Sequence, residues 1–178
     1  MSRGEPRPGR GGEPRPGLGG ELAHFSAYLD LYRDTCIEKC RSLPEDELRV
    51  ARVPSGWAPL ELLQHLALME RRWFVWGFLG EPVDDPWADS GGEAEGRWRV
   101  EAGLGLEDVV ALMEEYAART RSVLATHAPE ELAATGGRFA GSEPPDLRWI
   151  CFHVLQEYAR HAGHLDVTRE LVDGATGE

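Results

Sequence analysis

The sequence is poor in the features that tie a chain to nucleic acid, to a bilayer or to itself through disulfides. It contains one lysine, Lys39, and its 19 basic residues stand against 31 acidic ones, a formal charge of −12. A field of that sign repels phosphate backbones and anionic membrane surfaces, which argues against both as partners. No apolar run approaches the roughly 20 residues that span a bilayer, and the N-terminus lacks the apolar core of a signal peptide, so the expected location is the cytoplasm. Three cysteines, Cys36, Cys40 and Cys151, are too few and oddly numbered for a disulfide framework, in keeping with a reducing compartment. Period-2 alternation of apolar and polar residues is also missing, which leaves no strand to build a sheet.

What the chain does contain is arginine, alanine, glycine and proline in excess, a bias that suggests a GC-rich genome. The motif GEPRPG occurs twice, at Gly4 to Gly9 and Gly12 to Gly17, with almost no apolar side chain to offset ordering entropy. Residues 1–20 are therefore expected to be a disordered tail, and 21–178 a single domain. Four stretches then show helical spacing of apolar residues. Leu22, Phe25, Leu29, Tyr32 and Cys36 mark a helix over about 20–42, with Cys36 and Cys40 as packing residues. A second helix opens at Pro59 and runs to Leu79, and a third carries Leu106, Val109, Met113, Tyr116 and Leu124. The fourth is capped by Asp146 and extends to about Val172. Between the second and third, residues 80–105 are rich in Asp, Gly, Pro and Trp, too long for a plain connector, and with Trp87 and Trp98 they are expected to form a functional loop. The fold class expected is an all-α four-helix bundle with a long connection between helices 2 and 3.

Chemistry concentrates in ICFHVLQEYARHAGHLD, residues 150–166. At about 100° per residue, His153, Glu157, His161 and His164 fall within a wedge of roughly 80° on the fourth helix. Glu157 and His161, one turn apart, can converge on a single ion. His65, the one histidine of the second helix, sits among Leu62, Leu63, Leu66 and Leu68 and is the candidate third ligand. Two imidazoles and a carboxylate suit zinc, and also nickel, iron or manganese, and three protein ligands leave a position open. The alternatives are a hydrogen-bonded core histidine at His65 and ordinary surface pairing of Glu157 with Arg160 or Arg169. A stripe of four such groups, buried without a metal, would leave several polar groups unsatisfied. Arg72, seven residues after His65, either faces an anionic substrate or thiol or pairs with an acidic side chain. Met69 and Trp76 share that face as core residues, and His24 and His127 lie near helix ends, where solvent exposure is the simpler account.

HLALMERRWF on the second helix, together with DLRWICFHVLQEYARHAGHLD on the fourth, resembles the DinB-like superfamily of metal-binding four-helix bundles, and in particular the branch related to mycothiol-dependent maleylpyruvate isomerase and the thiol S-transferases. The resemblance spans about Leu22 to Gly174. It implies a divalent-metal site of His65, Glu157 and His161, with His164 and His153 as supporting or substrate-binding residues. Ala58 stands where the family often has Ser or Thr before the helix-opening proline. The implied activity is a metal-dependent thiol S-transferase or isomerase: a low-molecular-weight thiol, mycothiol being the candidate, is held as thiolate by the metal and attacks a small electrophile. The alternatives are hydrolysis through activated water and a non-catalytic metal- or ligand-binding stress protein. A homodimer through exposed apolar helix faces is also consistent with the sequence.

Overall fold

The computed structural model describes residues 13–14, 17, 19–90 and 98–176, so the expected Gly/Pro/Arg-rich tail falls largely outside the described residues. Helix α1 is Glu21–Arg41, α2 Pro59–Glu70, α3 Leu106–Thr126 and α4 Leu147–Asp173. Among the described residues there is no strand, only two isolated bridges, Ser90 with Trp98 and Leu132 with Asp146. No helix among them is long and apolar enough to cross a membrane.

Helix α1 packs chiefly on α3 and α4, and α2 chiefly on α3 and α4, so α1 and α2 stand across one diagonal of the bundle and α3 and α4 across the other. The apolar stripes explain this order: Leu29 and Cys36 of α1, Leu62, Leu63 and Leu66 of α2, Met113 of α3 and Ile150, Val154 and Leu165 of α4 are all completely buried. Neighbouring α2 and α4 bring the second-helix histidine against the fourth-helix stripe.

The helix ends follow local chemistry. Asp146 accepts the Trp149 N–H at 2.8 Å, capping α4, and Gly174 closes that helix at φ 72°. At α2, Ala58 has no side chain to cap with, but the Glu61 carboxylate accepts the Ala58 N–H at 2.9 Å, the reciprocal half of a capping box.

Two features were not visible in the apolar spacing. The expected second helix to Leu79 is α-helical only to Glu70; Arg71–Phe78 is π-helical, and the Leu79 N–H reaches the Phe74 carbonyl at 3.0 Å, five residues back. Wider turns leave a continuous apolar pattern intact, so the sequence reads through them. The second feature is a polar trio in the core. Arg33 of α1 donates to both Glu70 oxygens, at 3.3 and 2.9 Å, and the Tyr158 hydroxyl of α4 donates to Glu70 at 2.6 Å. Arg33 also bonds Asp30. Arg33, Glu70 and Tyr158 are at most 1 % exposed, so three helices share one closed ionic lock.

Candidate metal centre

Eight residues separate His65 from Trp73 along α2 and its π-helical extension, and eight separate His161 from His153 on α4. The His65 and His161 rings lie 5.3 Å apart, and the Trp73 and His153 rings 4.1 Å. The two helices therefore run antiparallel along one seam, with Glu157 midway. His65, Glu157 and His161 each present a ligand atom, and the three atoms lie within 4.8 Å of one another, close enough to share one ion. His161 is buried at 4 % exposure, while the side chains of His65 and Glu157 are 13 % and 17 % exposed, so the cluster is largely buried but reached by solvent.

What orients the two imidazoles is as informative as their convergence. His65 Nδ1 is 2.6 Å from Asp89 Oδ2, which leaves its Nε2 as the free lone pair. His161 Nδ1 is 3.1 Å from His164 Nδ1, while its Nε2 is 3.3 Å from Glu157 Oε2. A ligating histidine characteristically ties its other nitrogen to a neighbouring group in this way. Burial first, then the neighbouring imidazoles of His65 and His164, lowers the His161 pKa to about 3. A neutral imidazole is the form a cation requires. The donor set and its spacing fit a divalent ion.

Asp89 is the residue that sequence reasoning missed. It lies in the segment DPWAD of the long loop, 2 % exposed, and receives Arg72 through two contacts, one at 3.1 Å to Oδ2 and a second to Oδ1 at 2.5 Å. Burial alone would raise its pKa, but the hydrogen bonds from His65 and Arg72 and the Arg72 charge hold it below the usual carboxylate range. The loop is fixed over the site by the Ser90 and Trp98 bridge and by the Arg99 N–H donated to the Asp89 carbonyl at 2.9 Å. Trp98 consequently stacks on His65, centroids 4.1 Å apart and planes at 17°, and meets His161 edge-on at 5.1 Å. The Asp and Trp content of the loop was the available signal; which aspartate turned inward was not.

The remaining candidates divide. His164 touches the cluster through His161 and faces Trp57 at 5.6 Å. His153 does not join the donors: its ring packs on Trp73 at 4.1 Å and stacks on Trp149 at 5.5 Å, because its position one turn earlier meets the indoles. Of the two readings of Arg72, the acidic partner is the one observed, and at 3 % exposure its charge is already matched by Asp89. His127 is half-buried, edge-on to Phe78 at 5.0 Å, rather than simply exposed.

Among curated proteins none matches the chain. The sequence model of the family described as mycothiol-S-transferase matches residues 24–174, which takes in all four helices except the first turn of α1, together with every donor and the loop that supports them. On that match, and with a four-helix bundle beneath it, the chain belongs to the mycothiol S-transferase family of the DinB-like superfamily.

Proposed function

We propose that the protein joins a low-molecular-weight thiol, mycothiol, to a small electrophile, with a divalent ion held by His65, Glu157 and His161. The observation that carries this reading is the convergence of three donors from α2 and α4, each histidine aimed by a second group at its far nitrogen. Bound there, a divalent ion supplies Lewis acidity that holds a thiol as thiolate at neutral pH. Zinc is the ion proposed, since two imidazoles and one carboxylate with an open position are a catalytic zinc set.

The chain's own residues make the other contributions. Asp89 keeps the His65 Nδ1 proton in place and is itself pinned by Arg72, so His65 presents a fixed lone pair. His164 does the corresponding work for His161. Trp98 covers both imidazoles and keeps bulk water from their faces. The sulfur must come from outside the chain: Cys36, Cys40 and Cys151 are all completely buried, burial pushes the Cys40 and Cys151 thiols up to about 12, and Cys36 higher still. With an alkyl halide the thiol sulfur bonds to carbon as the carbon–halogen bond breaks, releasing halide and the thiol proton; with an activated alkene the sulfur bonds to one carbon as the π-bond breaks and the neighbouring carbon takes up a proton. The setting proposed is the bacterial cytoplasm, where such a thiol is kept reduced.

The test is a rate. Untagged protein reconstituted with zinc should accelerate mycothiol consumption by a panel of alkyl halides and activated alkenes. His161→Ala and Glu157→Gln, shown by circular dichroism to be folded, should lose both the bound zinc and the acceleration. Thiol loss no faster than in protein-free buffer across the panel would end the transferase reading, and turnover in thiol-free buffer would replace it with hydrolysis.

A further inference from the structure

Among the described residues Arg138 is a cation without a carboxylate, in a chain with 31 acidic residues. Arg41, Arg52, Arg119 and Arg148 each hold an acidic partner at the surface. Among the described residues none pairs with Arg138. Its guanidinium instead lies 4.1 Å from the ring centroid of Trp73 and 5.4 Å from that of Trp87. Burial and the nearby Arg72 charge pull its pKa below the ordinary guanidinium value, a cost that an incoming anion would offset.

The position is built. Arg138 belongs to the short turn Gly137–Phe139, which sits directly on the π-helical segment. Gly137 has φ 55°, and a Cβ there would meet the Trp76 carbonyl oxygen at 2.2 Å; no other residue lets the turn approach so closely. On the opposite side, a Cβ at Gly77 would lie 3.2 Å from the Phe139 ring and 3.6 Å from Arg138 Cδ. The turn is thereby fixed with Arg138 over Trp73.

Trp73 is one end of the seam that carries the donors. Eight residues from His65 to Trp73 correspond to roughly 12 Å of helix, with Glu157 about midway. His153 at the Trp73 level senses Glu157, Arg138 and Arg160 together, in addition to the burial that lowers its pKa. Arg160 is exposed and also without a carboxylate among the described residues, so the seam has a second cation beside it. Trp87, 49 % exposed, leaves indole surface open beside Arg138, with Arg72 4.8 Å from the same ring. Planar groups and a desolvated guanidinium are what a carboxylate on a flat skeleton recognises.

We propose that Arg138, with Trp73 and Trp87, forms a subsite for the carboxylate of the electrophile, so that the protein selects anionic, planar electrophiles whose reacting carbon lies one or two helical turns away beside His65, Glu157 and His161. The proposal rests on the thiol-transfer reading above, and the experiment separates the two. The reactive probes are 4-(chloromethyl)benzoate and its methyl ester, offered to zinc-loaded protein with mycothiol; the sulfur–carbon bond forms as the carbon–chlorine bond breaks, releasing chloride and the thiol proton. Unreactive 4-methylbenzoate is titrated separately against tryptophan fluorescence, with methyl 4-methylbenzoate as the neutral control.

The expected result is at least a tenfold preference for the acid over the ester in the parent, reduced about tenfold in Arg138→Gln and partly restored in Arg138→Lys. The fluorescence titration should show 4-methylbenzoate binding that weakens about tenfold in Arg138→Gln. Equal rates for acid and ester in the parent, or an acid-to-ester ratio unchanged by Arg138→Gln, would overturn the subsite. If neither chloride reacts, the transfer reading fails and the titration decides alone: binding lost in Arg138→Gln upholds the anion site, and binding absent from the parent or equal in both proteins removes it.

Discussion

Two polar clusters lie between α2 and α4, one of them reaching α1 as well, and they differ in what their lone pairs do. Glu70 follows His65 by five residues on α2, and Tyr158 adjoins Glu157 on α4. In the Arg33–Glu70–Tyr158 trio every donor ends on a carboxylate, Tyr158 on Glu70 and Arg33 on Glu70 and Asp30, and none points into an opening. In the His65–Glu157–His161 cluster the outer nitrogens end on Asp89 and His164, while the inner atoms face one another across an opening. Closed satisfaction is what a structural lock needs, and convergent lone pairs with tied backs are what a metal site needs. The general lesson is that burial of polar groups does not separate the two; the direction of their free valences does.

The comparison breaks most decisively at the closed cluster. Glu70→Leu leaves the buried Arg33 charge with only the partly exposed Asp30 and takes the acceptor from the Tyr158 hydroxyl, and loss of one partner of a buried pair costs about 3–5 kcal/mol. Urea unfolding should show that loss, and the double variant Arg33→Met/Glu70→Leu should recover most of it, since removing both charges removes the desolvation cost as well. A loss below about 1 kcal/mol in the single variant would mean that water reaches the trio.

A smaller effect is expected at the support of the open cluster. Asp89→Asn keeps the shape but weakens the hold on the His65 Nδ1 proton, and loss of such an outer partner lowers metal affinity about 10–100-fold, or ~1.4–2.7 kcal/mol. Competition between the protein and a chromophoric zinc chelator measures it directly. Affinity equal to the parent would show that Asp89 serves the loop and not the histidine.

Much of this was legible in the sequence, for identifiable reasons. Helix periodicity gave four elements whose ends lie within a few residues of those observed once the π-helical extension of α2 is counted, because each apolar stripe is wide and Asp146 and Pro59 are strong local signals. The convergence of His65, Glu157 and His161 was legible because Glu157 and His161 are one turn apart on one helix and His65 stands alone among leucines. What stayed hidden depends on long-range pairing. Arg33, Glu70 and Tyr158 are separated by 37 and 88 residues, and no local pattern tells a buried glutamate from an exposed one. Asp89 required knowing which residue of an acidic loop turns inward, and Arg138 required the glycine contacts that seat its turn on Gly77. Arg72 was placed on the correct face, and its charge was found matched because Asp89 reaches that face too.

The effect that contrasts the clusters under a single variable is the response of metal-stripped protein to acid. Burial and the neighbouring imidazoles lower the His161 pKa from 6.5 to about 3, so the unfolded chain protonates it well before the folded chain does. Between those values the unfolded state binds more protons, and stability must fall as the pH is lowered from about 6.5 toward 3, by at most about 1.4 kcal/mol per pH unit from this group. The closed trio adds nothing in that window through Arg33 or Tyr158, whose pKa values are both raised far above it. The urea midpoint of the stripped parent should therefore decline between pH 6.5 and 4.5 more steeply than that of His161→Gln, which lacks the group. Parallel declines would mean that His161 is protonated as readily in the fold as out of it, with Glu157 at 3.3 Å acting as its counter-ion, and the open cluster would then be a resting ion pair that zinc has to displace.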